Sequence, residues 1–166
     1  MISRSFAVFL LGVLFAGPGT AQETLVGKVT NLPIPRYVSI RANEANLRVG
    51  PGGQYPVRWR LMRASMPVMI VDEEEQWREV ELYDGERGWL YAPLLSGART
   101  LYVTASRAPL LSKGKSDARV EAFVEKGVVL RAKKCEPQWC EARKGDISGW
   151  ISRNSVWGFL PDEVFD

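Results

Sequence analysis

The sequence contains no histidine among its 166 residues and only two cysteines. Without histidine, the chain lacks the side chain that most often serves as a general base or metal ligand near neutral pH. Two cysteines alone cannot supply the four Cys and His ligands of a structural zinc site within one chain. The sequence therefore argues against the commonest catalytic and metal-binding designs, and we predict no metal site and no cofactor.

The motifs of several enzyme classes are also absent. There is no G-x-S-x-G nucleophile elbow, no Walker phosphate loop and no dinucleotide-binding glycine pattern. Residues 72–75 (DEEE) are four consecutive acidic residues. A glycosidase needs two carboxylates placed across a cleft, and a contiguous acidic run is more typical of a solvated loop. We therefore predict no catalytic residues and no enzymatic activity.

The longest apolar run lies at the N-terminus, where residues 6–16 follow the basic Arg4 and end at Gly17 and Pro18. This run is too short to span a bilayer comfortably. Small residues then stand at the −3 and −1 positions before Gln22, which completes the three-part pattern of a secretory signal peptide over residues 1–21. An uncleaved membrane anchor is the alternative. We predict an exported protein, periplasmic or secreted, with no stable membrane span after cleavage.

The net charge of the sequence is small as well. The sequence has 22 basic and 19 acidic residues, which gives a formal net charge of +3. Proteins that bind nucleic acids usually concentrate positive charge on one face. Here short clusters such as residues 131–134 (RAKK) are more typical of solvated loops. We predict no nucleic-acid partner.

What the sequence does contain is a series of short runs with β-type composition. Residues 37–42 are rich in branched and aromatic side chains, residues 57–61 alternate strictly, and residues 67–71 are continuously apolar. In residues 77–82, Trp77 is out of phase with the apolar face of its strand. No amphipathic helix is long enough to cover a sheet, so such a unit can bury its apolar face only by curling into a small barrel. We predict an all-β fold.

Three motifs in this region resemble the bacterial SH3-like domain. Residues 46–51 (NLRVGP) match its N-x-R-x-G-P opening, Trp77 matches the tryptophan of its central G-x-W strand, and residues 85–90 (GERGWL) match its closing G-x-x-G-W. Two departures stand out: the central glycine is missing before Trp77, and residues 64–65 are Ala-Ser where a turn glycine is common. The resemblance covers about sixty residues and implies a small barrel with a binding function.

The same pattern recurs further along the chain at an offset of 61 to 63 residues. Gln-Trp at residues 76–77 recurs at 138–139, and the Gly-Trp pair at 88–89 recurs at 149–150, although the second copy lacks the N-x-R-x-G-P box. We predict two tandem SH3-like barrels, joined closely enough to pack against each other. The predicted boundaries are a signal peptide (residues 1–21), a flexible lead (22–36), a first domain (37–98) and a second domain (99–166).

Cys135 and Cys140 fall where two predicted strands meet at a loop. This spacing suits a hairpin whose ends face each other, and export to an oxidising compartment favours a structural disulfide. A redox-active pair is the alternative, but the spacing is not C-x-x-C and no strand-to-helix context follows.

Binding in a small barrel is expected to involve loop residues and exposed aromatic side chains on a rigid frame. Grooves of SH3-like domains commonly use aromatic and arginine side chains near the first long loop and the later turns. The resulting ligand-binding candidates are Arg48, Tyr55, Trp59, Trp77, Tyr91 and Trp139. Trp77 and Trp139 are the better surface candidates, whereas Trp89 and Trp150 are expected in the core. The alternative for Arg48 is that it only fixes its loop through backbone carbonyls.

Two functions from different classes follow. The first is a non-catalytic binding module of the bacterial cell envelope, whose partner is a peptide, peptidoglycan or an envelope protein. The second is a structural envelope protein whose two barrels pack on each other without an external ligand. The sequence indicates neither the identity of the ligand nor the oligomeric state.

Overall fold

The computed structural model describes residues 25–166, so the predicted signal peptide at residues 1–21 lies outside the described residues. The described chain forms two seven-stranded antiparallel sheets, one after the other in sequence. The strands of the first sheet are β1 (Arg36–Ile40), β2 (Ala45–Arg48), β3 (Val57–Leu61), β4 (Pro67–Glu74), β5 (Trp77–Glu81), β6 (Arg87–Tyr91) and β7 (Leu95–Ser96). Those of the second are β8 (Thr100–Val103), β9 (Arg107–Leu111), β10 (Val120–Glu125), β11 (Val129–Cys135), β12 (Trp139–Lys144), β13 (Ile147–Ser152) and β14 (Val156–Trp157).

The two sheets have the same topology. The first has the strand order β3-β2-β6-β5-β4-β1-β7, and the second repeats it as β10-β9-β13-β12-β11-β8-β14. Each sheet curls around an apolar core of its own. The prediction of a tandem all-β repeat is therefore confirmed. The largest fully buried side chains include Ile40, Leu47, Val80 and Leu90 in the first unit and Leu101, Leu110, Leu130 and Ile151 in the second.

Within residues 25–166 the helical segments are the 3₁₀ turns Ala92–Leu94 and Arg153–Ser155. Neither has the length or the hydrophobicity that a helix needs to cross a membrane.

The closing tryptophans Trp89 and Trp150 have equivalent settings, but neither lies in a core. Trp89 is opposite Glu79 in the strand register, and Trp150 is opposite Glu141. Both side chains are half-buried. The prediction that they are core residues is wrong, because side chains alternate along a strand and the neighbours of each tryptophan are the ones that point inward. Those buried neighbours are Gly88 and Leu90 in β6, and Gly149 and Ile151 in β13.

The acidic run at residues 72–75 does not form the expected solvated loop, because β4 continues as far as Glu74 and Glu73 is fully buried. The Glu73 carboxylate accepts hydrogen bonds from Arg36 Nη2 at 2.7 Å, from the Thr30 amide at 2.8 Å and from the Thr30 hydroxyl at 2.7 Å. The Val29 amide adds a further bond at 3.1 Å. One carboxylate of this run is therefore a structural anchor.

That anchor holds the segment that the sequence predicts to be a flexible lead. The chain before β1 turns back on itself, with Val26 paired to Pro33, and wraps around Glu73. A side chain at Gly27 would collide with the Glu73 carboxylate, so the backbone approaches that group closely. In the structure, residues 25–35 therefore pack on the first unit.

The C-terminal segment is anchored to the second unit in a similar way. The buried Arg153 guanidinium donates to the backbone carbonyls of Glu136, Leu160, Pro161 and Glu163 at 2.7–3.1 Å. The Glu163 carboxylate in turn accepts a hydrogen bond from Arg99 Nη2 at 2.9 Å. Both ends of the described chain are thus fixed by a buried or half-buried charged group.

The two units contact each other through aromatic side chains. Tyr83 of the first stacks on Tyr102 of the second, with ring centroids 4.1 Å apart. Tyr37 meets Trp157 edge to face at 4.9 Å. Offset-stacked and edge-to-face aromatic pairs contribute about 0.5–1.5 kcal/mol each beyond their buried area. The prediction that the closely joined barrels pack together agrees with these contacts.

The predicted disulfide is present between Cys135 at the end of β11 and Cys140 in β12. Both cysteines are fully buried, and they are opposite each other in the strand register. The backbone of Cys135 also pairs with Phe165, so the bridge lies beneath the C-terminal segment.

Removing this disulfide is expected to destabilise the protein modestly. The closed loop is short, so the entropic stabilisation is about 2 kcal/mol. Urea denaturation of the oxidised protein against a Cys135→Ala/Cys140→Ala variant measures this difference. A loss near zero would show that the native state is strained by the bridge or that the unfolded chain is not restrained by it.

Candidate functional site

A shallow cleft of about 420 Å³ opens on the surface of the first unit. It lies between β2, the facing ends of β5 and β6, and the 3₁₀ turn that follows β6. Three of the six predicted ligand-binding residues line it together. The lining residues are Glu44, Asn46, Arg48, Trp77, Tyr91 and Leu94.

Two aromatic rings form one wall of this cleft. Trp77 and Tyr91 are opposite each other in the pairing of β5 with β6, and their ring centroids are 5.5 Å apart at an interplanar angle of 53°. Trp77 points away from the core, as its phase in the sequence predicts, because Arg78 and Val80 take the inward positions. The Tyr91 hydroxyl donates to Gln76 Oε1 at 2.7 Å, which fixes the tilt of the ring. The pair offers an apolar surface with a polar edge.

Polar groups of both signs line the other side. Glu44 forms an ion pair with Arg60 at 3.1 Å. Asn46 contributes a side-chain oxygen, Oδ1, that is buried and has no hydrogen-bond partner in the protein. Buried polar atoms are nearly always hydrogen-bonded. An oxygen without a partner in a cleft is therefore free to accept a hydrogen bond from a ligand or a water molecule. Asn46 belongs to the opening motif but is not among the predicted site residues.

Arg48 both lines the cleft and fixes its own loop. Its guanidinium Nη1 donates to the backbone carbonyl of Tyr55 at 2.7 Å, which is the structural role that the sequence left open. The Tyr55 ring packs over Gly50, where any Cβ would come within 2.5 Å of the ring. Tyr55 therefore supports the loop and does not line the cleft.

Trp59 lies elsewhere as well. It is 54% exposed on β3, the edge strand of the first sheet, and does not line the cleft. The structure thus brings Arg48, Trp77 and Tyr91 together and leaves Tyr55 and Trp59 outside. It places Trp139 in the second unit.

Comparison with known proteins identifies both units. The family model described as bacterial SH3 domain matches residues 41–97 and again residues 104–158. The chain belongs to the bacterial SH3 domain family. None of the curated proteins matches this chain.

Two solved structures show a distant likeness to the tandem SH3 domains. They are the structures of NlpC1 and NlpC2 from Trichomonas vaginalis. NlpC1 is 12% identical with a TM-score of 0.36, and the match covers 84% of this chain and 51% of that one. NlpC2 is 10% identical with a TM-score of 0.33, and the match covers 74% of this chain and 48% of that one. The chain thus spans about half the length of either protein.

The second SH3 domain does not reproduce the cleft. By strand register, Asn46 and Arg48 correspond to Pro109 and Leu111, because each pair faces matching positions of the neighbouring edge strand. The position opposite the central tryptophan is Tyr91 in the first domain and Ser152 in the second. The stacking partner, the guanidinium and the amide are therefore all missing.

A loop also covers this part of the second SH3 domain. Gly114, in this loop, lies close to both tryptophans: an added Cβ would be 2.9 Å from the Trp150 ring and 3.3 Å from Trp139 Cβ. Trp139 is half-buried beneath this loop. The two equivalent tryptophans are both half-buried, but Trp77 lines an open cleft, whereas Trp139 lies beside the loop that contains Gly114.

Within the part of the chain that the structure describes, no three His, Cys, Asp or Glu residues come together as a set that could hold a metal ion. The Cys135–Cys140 pair is joined as a disulfide, and no free cysteine occurs among the described residues. The cleft presents amide, guanidinium, carboxylate and aromatic groups. These groups suit recognition of a ligand with apolar and charged parts.

Proposed function

We propose that this protein is a non-catalytic binding module of the bacterial cell envelope, and that its first SH3 domain binds a peptide such as the stem peptide of the cell wall. The observation that carries this proposal is the cleft in which Trp77 and Tyr91 face Asn46 across an open space. Aromatic side chains on a rigid frame are the usual anchors of protein recognition sites.

The chemistry of the cleft suits a short peptide with both amino and carboxylate groups. The aromatic pair can pack against aliphatic parts of such a ligand. Asn46 Oδ1 can accept a hydrogen bond from an N–H group, since it has no partner in the protein. Glu44 and Arg48 place a carboxylate and a guanidinium at the same cleft. Peptides of the cell wall carry groups of both charges and fit this combination.

Export and the absence of catalysis belong to the same proposal. The predicted signal peptide at residues 1–21 supports secretion, and the Cys135–Cys140 disulfide fits an oxidising compartment. The histidine-free sequence supports a binding role in preference to an enzymatic one. We propose the periplasm or the cell exterior as the site of action.

The alternative is a structural envelope protein with no external ligand. It is favoured by the stacked contact of Tyr83 with Tyr102, which joins the two SH3 domains through aromatic side chains. In that case the aromatic surface of the protein would serve domain packing, and the cleft would stay empty.

Co-sedimentation with purified cell-wall sacculi separates the two functions. The wild-type protein is expected to sediment with sacculi, and Trp77→Ala is expected to weaken retention by about thirtyfold, the effect of a 2 kcal/mol hot spot. The melting temperature should change little, because Trp77 lies outside the core.

Trp59→Ala is the matched control, since it removes an exposed indole from the same domain outside the cleft. Equal losses in Trp77→Ala and Trp59→Ala would refute the cleft as the binding site. Failure of the wild-type protein to sediment would favour the structural alternative.

A further inference from the structure

A second recess, larger than the aromatic cleft, lies between the two SH3 domains. It has a volume of about 790 Å³. Its lining comes from the turn between β3 and β4, the turn that precedes β11, the turn that follows β12, and the short junction between the domains. We call it the interdomain groove. Five exposed cationic side chains line it: Arg63, Lys126, Arg131, Arg143 and Lys144.

The positive charge of this groove is not neutralised by the protein. Glu125 is the one acidic residue of its lining, so five cations against one carboxylate leave a surplus of four, more than the +3 of the whole sequence. Several surface cations outside the groove are paired, as Lys133 is with Glu141 at 2.9 Å and Arg119 with Glu121 at 2.8 Å, whereas Arg41, Arg107 and Lys113 are exposed without an ion pair within residues 25–166. Among the described residues, none of the five groove cations forms such an ion pair.

Two of these cations also oppose each other directly. Arg131 of β11 and Arg143 of β12 are partners in the strand register. Like charges that face each other across an antiparallel pair destabilise a sheet. The neighbouring Lys133 on the same strand shows that this sheet can pair a cation with a carboxylate. The two arginines therefore create a local repulsion that an anion in the groove would relieve.

An independent observation comes from the lining of the groove. Thr100 is 5% exposed, and its hydroxyl Oγ1 is buried with no hydrogen-bond partner. In the pairing of β8 with β11, Thr100 is the register partner of Arg131. A buried hydroxyl without a partner is uncommon in proteins and calls for an explanation such as a bound group.

The groove exists only where both domains meet. The Arg63 guanidinium of the first domain donates a hydrogen bond to the backbone carbonyl of Gly127 in the second. Thr100 begins the first strand of the second domain, directly after the junction. The second domain thus supplies four of the five cations, and Arg63 of the first domain completes the groove.

We propose that the interdomain groove binds an oligoanion, a short chain of two or more phosphate groups. Arginine guanidinium groups match the geometry of phosphate oxygens and bind them through paired, charge-assisted hydrogen bonds. A surplus of four charges suits several linked phosphates better than a single anion. The site is separate from the aromatic cleft and does not depend on the proposed peptide binding.

Calorimetric titration with sodium tripolyphosphate, at an ionic strength held constant with sodium chloride, tests this proposal. The wild-type protein is expected to bind tripolyphosphate. The double variant Arg131→Gln/Arg143→Gln should bind at least about tenfold more weakly, as expected for the loss of charge-assisted hydrogen bonds. Lys113→Gln/Arg119→Gln, which removes two cations outside the groove, is the matched control and should bind like the wild type.

Further measurements distinguish a specific phosphate site from general charge attraction. Without ligand, the double variant should melt no lower than the wild type, because the repulsion between Arg131 and Arg143 is gone. Trp77→Ala should bind tripolyphosphate normally, which separates a failure of this site from a failure of the cleft. Equal weakening in the control variant, or equal affinity for citrate, would reduce the effect to general charge attraction and overturn the proposal. So would tighter binding of a single-stranded oligonucleotide with the same number of phosphates.

Discussion

Replacing Glu73 with glutamine is expected to lower the free energy of unfolding by about 3–5 kcal/mol, the usual cost of removing one partner of a buried ion pair. Glu73 of β4 is fully buried beneath the lead segment, with Arg36 at 2.7 Å and Arg78 at 3.5 Å. Glutamine would leave two guanidinium groups in the interior without a counter-charge. It would also replace a carboxylate oxygen with an amide nitrogen where only acceptors fit.

Glu75→Gln is the matched control for this substitution. Glu75 is exposed and lies two positions further along the same acidic run. Its replacement should change stability by less than about 0.5 kcal/mol, as for most surface substitutions. Urea denaturation of the two variants at neutral pH measures the contrast. If Glu73→Gln were as stable as Glu75→Gln, the lead segment would not be anchored as the structure shows.

Acid should abolish the same stabilisation in the wild-type protein. Burial alone would raise the pKa of Glu73, but hydrogen bonds from Arg36, Thr30 and Val29 outweigh burial and lower the pKa to about 2, from an ordinary value of 4.5. A carboxyl group with a lowered pKa stabilises the fold above its unfolded-state pKa and loses that effect as the pH falls toward its folded-state pKa. The stability gap between wild type and Glu73→Gln should thus keep its full size, about 3–5 kcal/mol, at pH 7 and shrink progressively between pH 4.5 and pH 2. A gap that stays constant over this range would contradict the assignment.

The second large effect is expected from Gly158→Ala, at about 3 kcal/mol of destabilisation. Gly158 has a φ of +134°, which side chains rarely adopt, and an added Cβ would collide with the Thr100 carbonyl oxygen. It would also come within 3.4 Å of the Pro67 side chain in the first domain. Backbone strain and a collision therefore act together at the contact between the domains.

Gly85→Ala separates the two contributions to this loss. Gly85 also has a positive φ, +86°, but an added Cβ there meets nothing within 4 Å. Its replacement should therefore cost only the backbone strain of a side chain at positive φ, about 1 kcal/mol. Thermal unfolding of both variants measures the difference. Equal losses would mean that the space around Gly158 is not closed by the second domain.

Much of this fold could be predicted from the sequence because its signals are local. The out-of-phase position of Trp77 placed the indole outside the core, and the repeat offset placed Gly149 and Trp150 at the positions of Gly88 and Trp89. The Cys135–Cys140 spacing predicted the disulfide. The phase of Trp77 and the cysteine spacing depend only on residues that are close in sequence, and the repeat is found by comparing two such local segments.

The wrong predictions also have physical causes. Trp89 was expected in the core because it is large and apolar, whereas alternation along β6 gives the inward positions to its neighbours. The acidic run looked like a loop because Glu73 gains its partners from residues 29–36, more than thirty positions earlier. The interdomain groove combines residues between 63 and 145 that only the packing of the two domains brings together. Such long-range pairings leave no periodic pattern in the sequence.

The indole N–H resonances of the six tryptophans offer the most direct test of an open cleft in the first SH3 domain and a covered one in the second. A soluble cell-wall stem peptide would be titrated into ¹⁵N-labelled protein while these resonances are followed by NMR. The account predicts a saturable shift of the Trp77 resonance, while the Trp59 and Trp139 resonances stay in place. Peptide-induced shifts confined to the Trp139 resonance would contradict the account. So would a Trp77 resonance that does not move in this titration although the protein co-sediments with sacculi.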